Sequence, residues 1–468
     1  MQLFREVIDE CGFLDLGFEG QKYTWSRHFE NGSSIWERLD RCLVISSWFL
    51  KFPGSKVYHL RCDSSDHIPL LIRLLGLDAP RQKFFFRFEE MWLSNREGEE
   101  VIFSVWHSGD TLGFEGGVSQ KIDKCGKELT WWDRNVFSNV RRELERLKKL
   151  LVEAKSATMV SGNNFRVRQL KKEIEVLLDR ESTMWAQRSR LLWARNGDRN
   201  TKYFHSRATR RLRRNKVEGI RDKEGTWRDQ QHDISVVLVD YFKELFSSCE
   251  AVGSQVMDVL SCIPTIIDDE MNSMLSREFS EQGVVATLKQ MAPLKAPKPD
   301  GMPPLFYQHF WGTVSQDVTS SILAWLNSGI LPTPLNHTFI ALIPKNHNPE
   351  FAHQYHPISL CNVLYKIYSK VVANCLKKLI PHIVTEHQSA FTKGRLISNN
   401  ILMAFETLHS LQNYKSRTHG FMAIKIDISK AYDHVDWNFL EQLMRKLGFN
   451  ERWIHLIMGC MKTVPTRS

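Results

Sequence analysis

Strict alternation marks the segment 422–428: Met422, Ile424, Ile426 and Ile428 share one face, while Lys425 and Asp427 share the other. That pattern predicts a buried strand with Asp427 pointing away from the core. The apolar spacing then becomes helical. Leu440, Leu443, Met444 and Leu447 recur behind Trp437, and Gly448 stands where a left-handed C-cap ends a helix. Upstream, Phe339–Pro344 reads as a strand ending at the basic Lys345, and helical stretches are predicted around 363–380 and 398–412.

The first 78 residues have a different texture. Short apolar runs (12–16, 23–26, 43–45, 57–60 and 68–72) separated by turn residues predict a β-rich piece. From about 118 to 192 the pattern turns to long charged helices, with a turn at Val160–Asn164 folding one back on the next. Their charge runs read as solvated faces of a helical hairpin. A short hairpin over 220–227, a helix from about Asp233 to Phe246, and a proline-marked loop from Pro293 to Pro304 complete the pattern.

The composition, 42% hydrophobic and 11% aromatic, is that of a globular chain, and 468 residues suffice for about three domains. Nine unpaired-looking cysteines suit a reducing compartment. No basic start with an apolar run opens the chain and no apolar stretch reaches membrane-spanning length, so an intracellular protein, nuclear or cytoplasmic and not secreted, is expected. The formal charge of +10 is unevenly spread: Leu191 to Lys223 holds eleven Lys or Arg against three acidic residues. Within it, Arg199, Lys202, Arg210, Arg211, Arg213, Arg214 and Lys216 interleave with Tyr203, Phe204 and His205, a footprint for nucleic-acid backbones and unstacked bases. A nuclear-localisation patch or plain surface charge is the alternative. No Walker-type loop or Gly-x-Ser-x-Gly elbow is present, which disfavours NTPase and serine-hydrolase chemistry. His353, His356 and Cys361 lack a fourth ligand nearby, which disfavours zinc. Asp427 by itself is either a metal ligand or a carboxylate that solvates a strand end.

Five blocks in order resemble the reverse transcriptases of LINE-type non-LTR retrotransposons, the plant members most closely: 295–301 (KAPKPDG), 342–345 (LIPK), 357–366 (PISLCNVLYK), 388–395 (QSAFTKGR) and 427–433 (DISKAYD). The resemblance implies that Asp427 is the first catalytic carboxylate and a ligand of Mg²⁺. It makes Tyr432 the aromatic gate under the nucleotide sugar and sets Lys345 near the incoming triphosphate. Gln388 and Arg395 would position the template and primer. An RNA template, a DNA primer or target and dNTP substrates are the implied partners, with no membrane. The sequence departs from the family pattern at Lys298, where glycine is usual, and at His356, where arginine is usual. The family's second aspartate pair would fall beyond Ser468, so the polymerase is expected to be truncated and inactive alone.

The first 75 or so residues resemble the end of the endonuclease/exonuclease/phosphatase-like domain of the same elements, through 23–25 (YTW), 37–41 (ERLDR) and 65–67 (SDH). This resemblance makes His67 base-like, Asp40 its orienting carboxylate and Asp66 a neighbour of the metal, in a domain whose earlier motifs would precede Met1. The implied fold is α/β multidomain: the C-terminal part of an α/β-sandwich endonuclease (1–78), a helical and basic linker (79–279), then the fingers and the first half of a reverse-transcriptase palm (280–468). The alternative is a chain co-opted as a non-catalytic nucleic-acid binder.

Overall fold

Short alternating runs near the N-terminus pair into small sheets because each is too brief to bury a face alone. In the computed structural model, β1 (Phe13–Asp15) pairs antiparallel with β5 (Leu43–Ile45), and β2 (Glu19–Gly20) runs parallel to β6 (Lys56–His59). β6 pairs antiparallel in turn with β7 (Leu70–Arg73), while β3 (Trp25–His28) and β4 (Ser34–Glu37) form a hairpin. Leu14, Leu16, Val44 and Val57 are the buried centre. The structure describes residues 7–8, 11, 13–30, 32–45, 48, 52, 55–60, 62, 65–74, 86–108, 117–137, 139–161, 163–189, 204, 208, 211, 214–247, 253–295, 299–346, 349–390, 392, 394–414, 422–428, 431–462 and 466–467.

The chain divides into two compact units, Met1–Ile102 with Lys127–Lys216 and Phe103–Gly126 with Val217–Ser468. The first α-helices described in full are α1 (Arg96–His107) and α2 (Gly117–Trp132). In the first unit, α3 (Val140–Ser161) and α4 (Phe165–Ser189) form the hairpin expected from sequence. Their apolar stripes supply Leu144, Leu147, Leu170, Ile174 and Leu177 to a shared buried seam. The side-chain oxygen of Asn163 accepts the Phe165 N–H at 3.0 Å, so a residue of the predicted turn starts the returning helix.

In the second unit, β8 (Ile220–Arg221) and β9 (Trp227–Arg228) close the small hairpin around Gly225, whose φ of +82° suits a residue without Cβ. The helices α5 (Gln231–Phe246), α6 (Gly253–Ser261), α7 (Asp269–Leu275), α8 (Glu281–Lys289), α9 (Pro304–His309) and α10 (Trp311–Ser328) follow. Val314, Val318, Ile322, Trp325 and Leu326 of α10 are buried at helical spacing, with Gly329 ending the helix at φ +73°. β10 (Thr338–Pro344) then pairs along its whole length with β11 (Tyr355–Cys361), from Thr338 opposite Cys361 to Pro344 opposite Tyr355. β12 (Thr466–Arg467) adds a short parallel partner to β10. The remaining helices are α11 (Val363–Leu376), α12 (Ile380–Ile383), α13 (Ile397–Asn413), α14 (Trp437–Leu447) and α15 (Glu451–Lys462).

The segment 422–428 departs from expectation. It joins no ladder with another described strand, and Met422, Ile424, Ile426 and Ile428 are 83%, 75%, 81% and 68% exposed, so the buried strand predicted there is corrected to an unpaired segment. Alternation determines which side chains would share a face. A strand also needs a neighbour for its N–H and C=O groups, and alternation cannot supply one. The helix after it forms as expected. Asp436 caps α14 by accepting the Phe439 N–H at 2.7 Å, and Gly448 closes it at φ +100°.

Candidate functional site

Two sets of sequence-selected residues lie in the two units. In the first unit, the 65–68 segment is laid along β3. Ser26 N–H donates to the Asp66 carbonyl at 3.1 Å, Ile68 N–H donates to the Thr24 carbonyl at 2.9 Å, and Trp25 and His67 form an antiparallel bridge. The indole Nε1 of Trp25 donates to Asp66 Oδ2 at 2.9 Å. This pairing presents His67 toward Asp40, and Nδ1 lies 2.8 Å from Asp40 Oδ2. Thr24, fully buried, accepts the Asp40 backbone N–H on Oγ1 at 2.9 Å and so fixes the carboxylate from behind. Thr24 has no role assigned from sequence; a neutral hydroxyl that bonds a residue 16 positions away leaves no local signature.

Electrostatics follow this geometry. The Asp40 hydrogen bond raises the His67 imidazole above its ordinary 6.5, outweighing the opposing desolvation. For Asp40, desolvation pulls the carboxyl up, but the hydrogen bonds from His67 and Thr24 prevail and hold it below the ordinary 3.8. Beside them, Asp15 receives both Arg38, at 3.1 Å, and Arg41, at 2.9 Å, so two arginines of the 37–41 block serve as ion-pair partners. His59 is buried, stacked on Phe18 with centroids 4.3 Å apart, and held by Gln21 O at 2.6 Å; burial lowers its pKa.

A protonatable imidazole oriented by a carboxylate can shuttle a proton or hold a phosphate oxygen. Asp66 Oδ2 is tied to Trp25, and among the described residues no hydrogen bond engages Oδ1.

In the second unit, all five sequence blocks have described residues, and 342–345 and 357–366 are described in full. The turn at Asp300 and Gly301 rests on the start of α11: Asp300 N–H donates to Asn362 Oδ1 at 3.3 Å, and the side chain of Asp300 accepts Met302 N–H at 3.0 Å. Gly301 takes φ +71° there. Asn362, buried, also donates to Leu335 O at 3.4 Å, and so links the 295–301 and 357–366 blocks. Lys345 follows β10 directly and is exposed, with Nζ donating to His353 O at 2.9 Å. His356 is exposed on β11 opposite Ile343. Arg395 Nη1 donates to the carbonyls of Thr385 and Gln388, the latter at 2.7 Å, so this guanidinium braces the turn that carries Gln388. Asp427 is exposed in the unpaired segment, and Tyr432, 75% exposed, lies in the turn 431–434. Of the basic segment, Arg211, Arg214 and Lys216 are exposed, while Arg199, Lys202, Arg210 and Arg213 fall outside the described residues, as does Lys298.

Among the described residues no three His, Cys, Asp or Glu side chains gather as a metal site. A carboxylate is a suitable hard donor for Mg²⁺, and Asp427 can serve as one ligand, but one carboxylate does not make a two-metal clamp. The donors at Asp427 therefore do not fit two Mg²⁺ ions without further ligands.

Residues 343–467 match the family model described as reverse transcriptase (RNA-dependent DNA polymerase). Over 485 aligned residues the chain is 21% identical to the Transposon TX1 uncharacterized 149 kDa protein of Xenopus laevis, covering 99% of this chain and 35% of that protein. It is also 23% identical over 138 residues to the Retrovirus-related Pol polyprotein from type-1 retrotransposable element R2 of Popillia japonica, covering 30% of this chain and 19% of that one. The chain thus spans about a third or less of the length of these relatives. It carries a reverse-transcriptase domain and is homologous to non-LTR retrotransposon proteins. Among the described residues no helix is long and apolar enough to cross a membrane.

Proposed function

We propose that this chain is a segment of a plant-type LINE RNA-directed DNA polymerase that, in the 468 residues at hand, engages an RNA template and a DNA primer or target without extending it. The observation that carries the reading is the reverse-transcriptase match over 343–467, which contains Lys345, Gln388, Arg395, Asp427 and Tyr432. In this reading Asp427 anchors catalytic Mg²⁺, Tyr432 discriminates the sugar, Lys345 faces the triphosphate, and Gln388 and Arg395 set the template-primer path. The metal would stabilise charge on the transferring phosphoryl group; among the described residues Asp427 is the one carboxylate this reading assigns to it, and one carboxylate gives incomplete stabilisation.

Residues 1–78 are read as the C-terminal part of an endonuclease/exonuclease/phosphatase-like domain, with His67 base-like, Asp40 orienting it and Asp66 near the metal. The 2.8 Å His67–Asp40 contact supports this assignment. Residues 79–279 then form the helical and basic linker, and 280–468 the fingers and partial palm. The compartment proposed is intracellular, nucleus or cytoplasm.

Primer extension tests the polymerase reading. The 468-residue chain, given RNA template, annealed DNA primer, dNTPs and Mg²⁺, is expected to bind template-primer and to yield no extension. Extension that disappears in Asp427→Ala would overturn the proposed inactivity. A second reading, a co-opted non-catalytic nucleic-acid binder, is favoured by the exposed Arg211, Arg214 and Lys216. The genomic sequence flanking the frame separates the two: an aspartate pair encoded downstream supports the retroelement segment, and unrelated exons support the binder.

A further inference from the structure

α3 carries its charges asymmetrically. At roughly 100° per residue, Arg141, Lys148 and Lys155 fall in one row, and Arg142 and Lys149 in a second row beside it. All five are exposed, and Glu145 is the one carboxylate within that flank, with Glu153 at its border. Elsewhere on the helix Arg146 closes on Glu143 at 2.6 Å. None of the five flank cations, by contrast, forms an ion pair among the described residues.

We infer that this flank of α3 is a second nucleic-acid contact, a phosphodiester-backbone track additional to the basic segment around Arg211 and Arg214. The inference rests on the reading that the chain engages nucleic acid. Steps of seven residues are about 10.5 Å of helix, so Arg141 to Lys155 spans about 21 Å of rigid rod. Each step exceeds the Debye length of about 8 Å at physiological salt, so repulsion along the row is weak and the row needs no formed ion pair to be tolerated. A polyanion laid along the rod meets a cation at each step and releases condensed counterions at each contact.

A membrane surface fits less well. An interfacial helix needs a free apolar face, whereas Leu144 and Leu147 of α3 are buried in the hairpin seam.

Fluorescence anisotropy of the full 468-residue chain tests the assignment with two probes, a 20-nucleotide single-stranded RNA and a 20-base-pair DNA duplex, titrated from about 50 to about 300 mM salt. The triple substitution Arg141→Gln, Lys148→Gln and Lys155→Gln should lower the slope of log K against log salt by about two on RNA, at about 0.7 per lost contact, or by somewhat more on duplex. The sizes of the two drops tell which nucleic acid lies on the track. A matched loss of charge on α4, Arg168→Gln with Lys171→Gln and Lys172→Gln, where Glu175 and Asp179 interleave, should change it by less than one. Glutamine is a good helix former and all six positions are exposed, so circular dichroism should be unchanged.

Equal slopes for wild type and the α3 triple, or equal losses in both triples, would overturn the track while leaving nucleic-acid binding by the chain intact. Competition by polyglutamate as strong as by RNA at equal charge would overturn it in favour of an acidic-protein surface. Failure of the wild-type chain to bind either probe would remove the track together with the reading beneath it.

Discussion

His67 and Asp40, 27 positions apart in sequence, meet through a 2.8 Å contact between imidazole Nδ1 and carboxylate Oδ2. The contact is set by the strand-like pairing of the 65–68 segment with β3, so it reports on whether the N-terminal sheet is assembled.

The pair has a defined pH window. A raised His67 pKa contributes stability that is complete below the ordinary 6.5 and disappears as pH climbs through the folded value. A lowered Asp40 pKa contributes above the ordinary 3.8 and is lost as pH falls through its folded value. Both contributions are therefore present together from about pH 4 to about pH 6.5. NMR titration of the His67 ring should give a pKa above 6.5, and Asp40→Asn should return it toward that value. An unchanged titration in the variant would show that the carboxylate does not hold the ring.

Gly448 tests how α14 is terminated. A Cβ there would sit 2.6 Å from Ile267 O and 2.9 Å from Thr265 Cγ2, in a backbone of φ +100°. Gly448→Ala should destabilise the second unit by about 1–3 kcal/mol, measured as a shift in the urea midpoint with unchanged m.

Tyr307 is fully buried and its hydroxyl finds no partner among the described residues, while burial drives its pKa well above 10.0 and keeps the phenol neutral. Tyr307→Phe removes an unsatisfied polar atom and keeps the ring against Phe306. Stability should stay level or rise, by up to about 1–3 kcal/mol, in the same denaturation assay. A loss of stability would reveal a partner for the hydroxyl.

The exposed row Met422, Ile424, Ile426 and Ile428 should make the isolated chain bind hydrophobic dyes and self-associate. Threonine at Ile424, Ile426 and Ile428 keeps β-branching and lowers apolar area, so dye fluorescence and light scattering should both fall. Unchanged values would place the sticky surface elsewhere, as on α13, where Ile397, Leu402 and Phe405 are also exposed.

Sequence by itself determined the local elements. α14 formed from its apolar spacing, its Asp436 cap and its Gly448 stop, and the α3–α4 hairpin from its paired stripes and intervening turn, because those signals act within one or two helical turns. The order of the motif blocks was legible for the same reason: each is contiguous. What tertiary structure alone decided are the meetings of distant residues. It joined His67 to Asp40 through β3, seated Asp300 on Asn362, and turned Arg395 onto the backbone of its own loop. It also left the 422–428 face uncovered. Period-two alternation states which side chains share a face, but pairing and burial depend on a partner strand that no local pattern encodes.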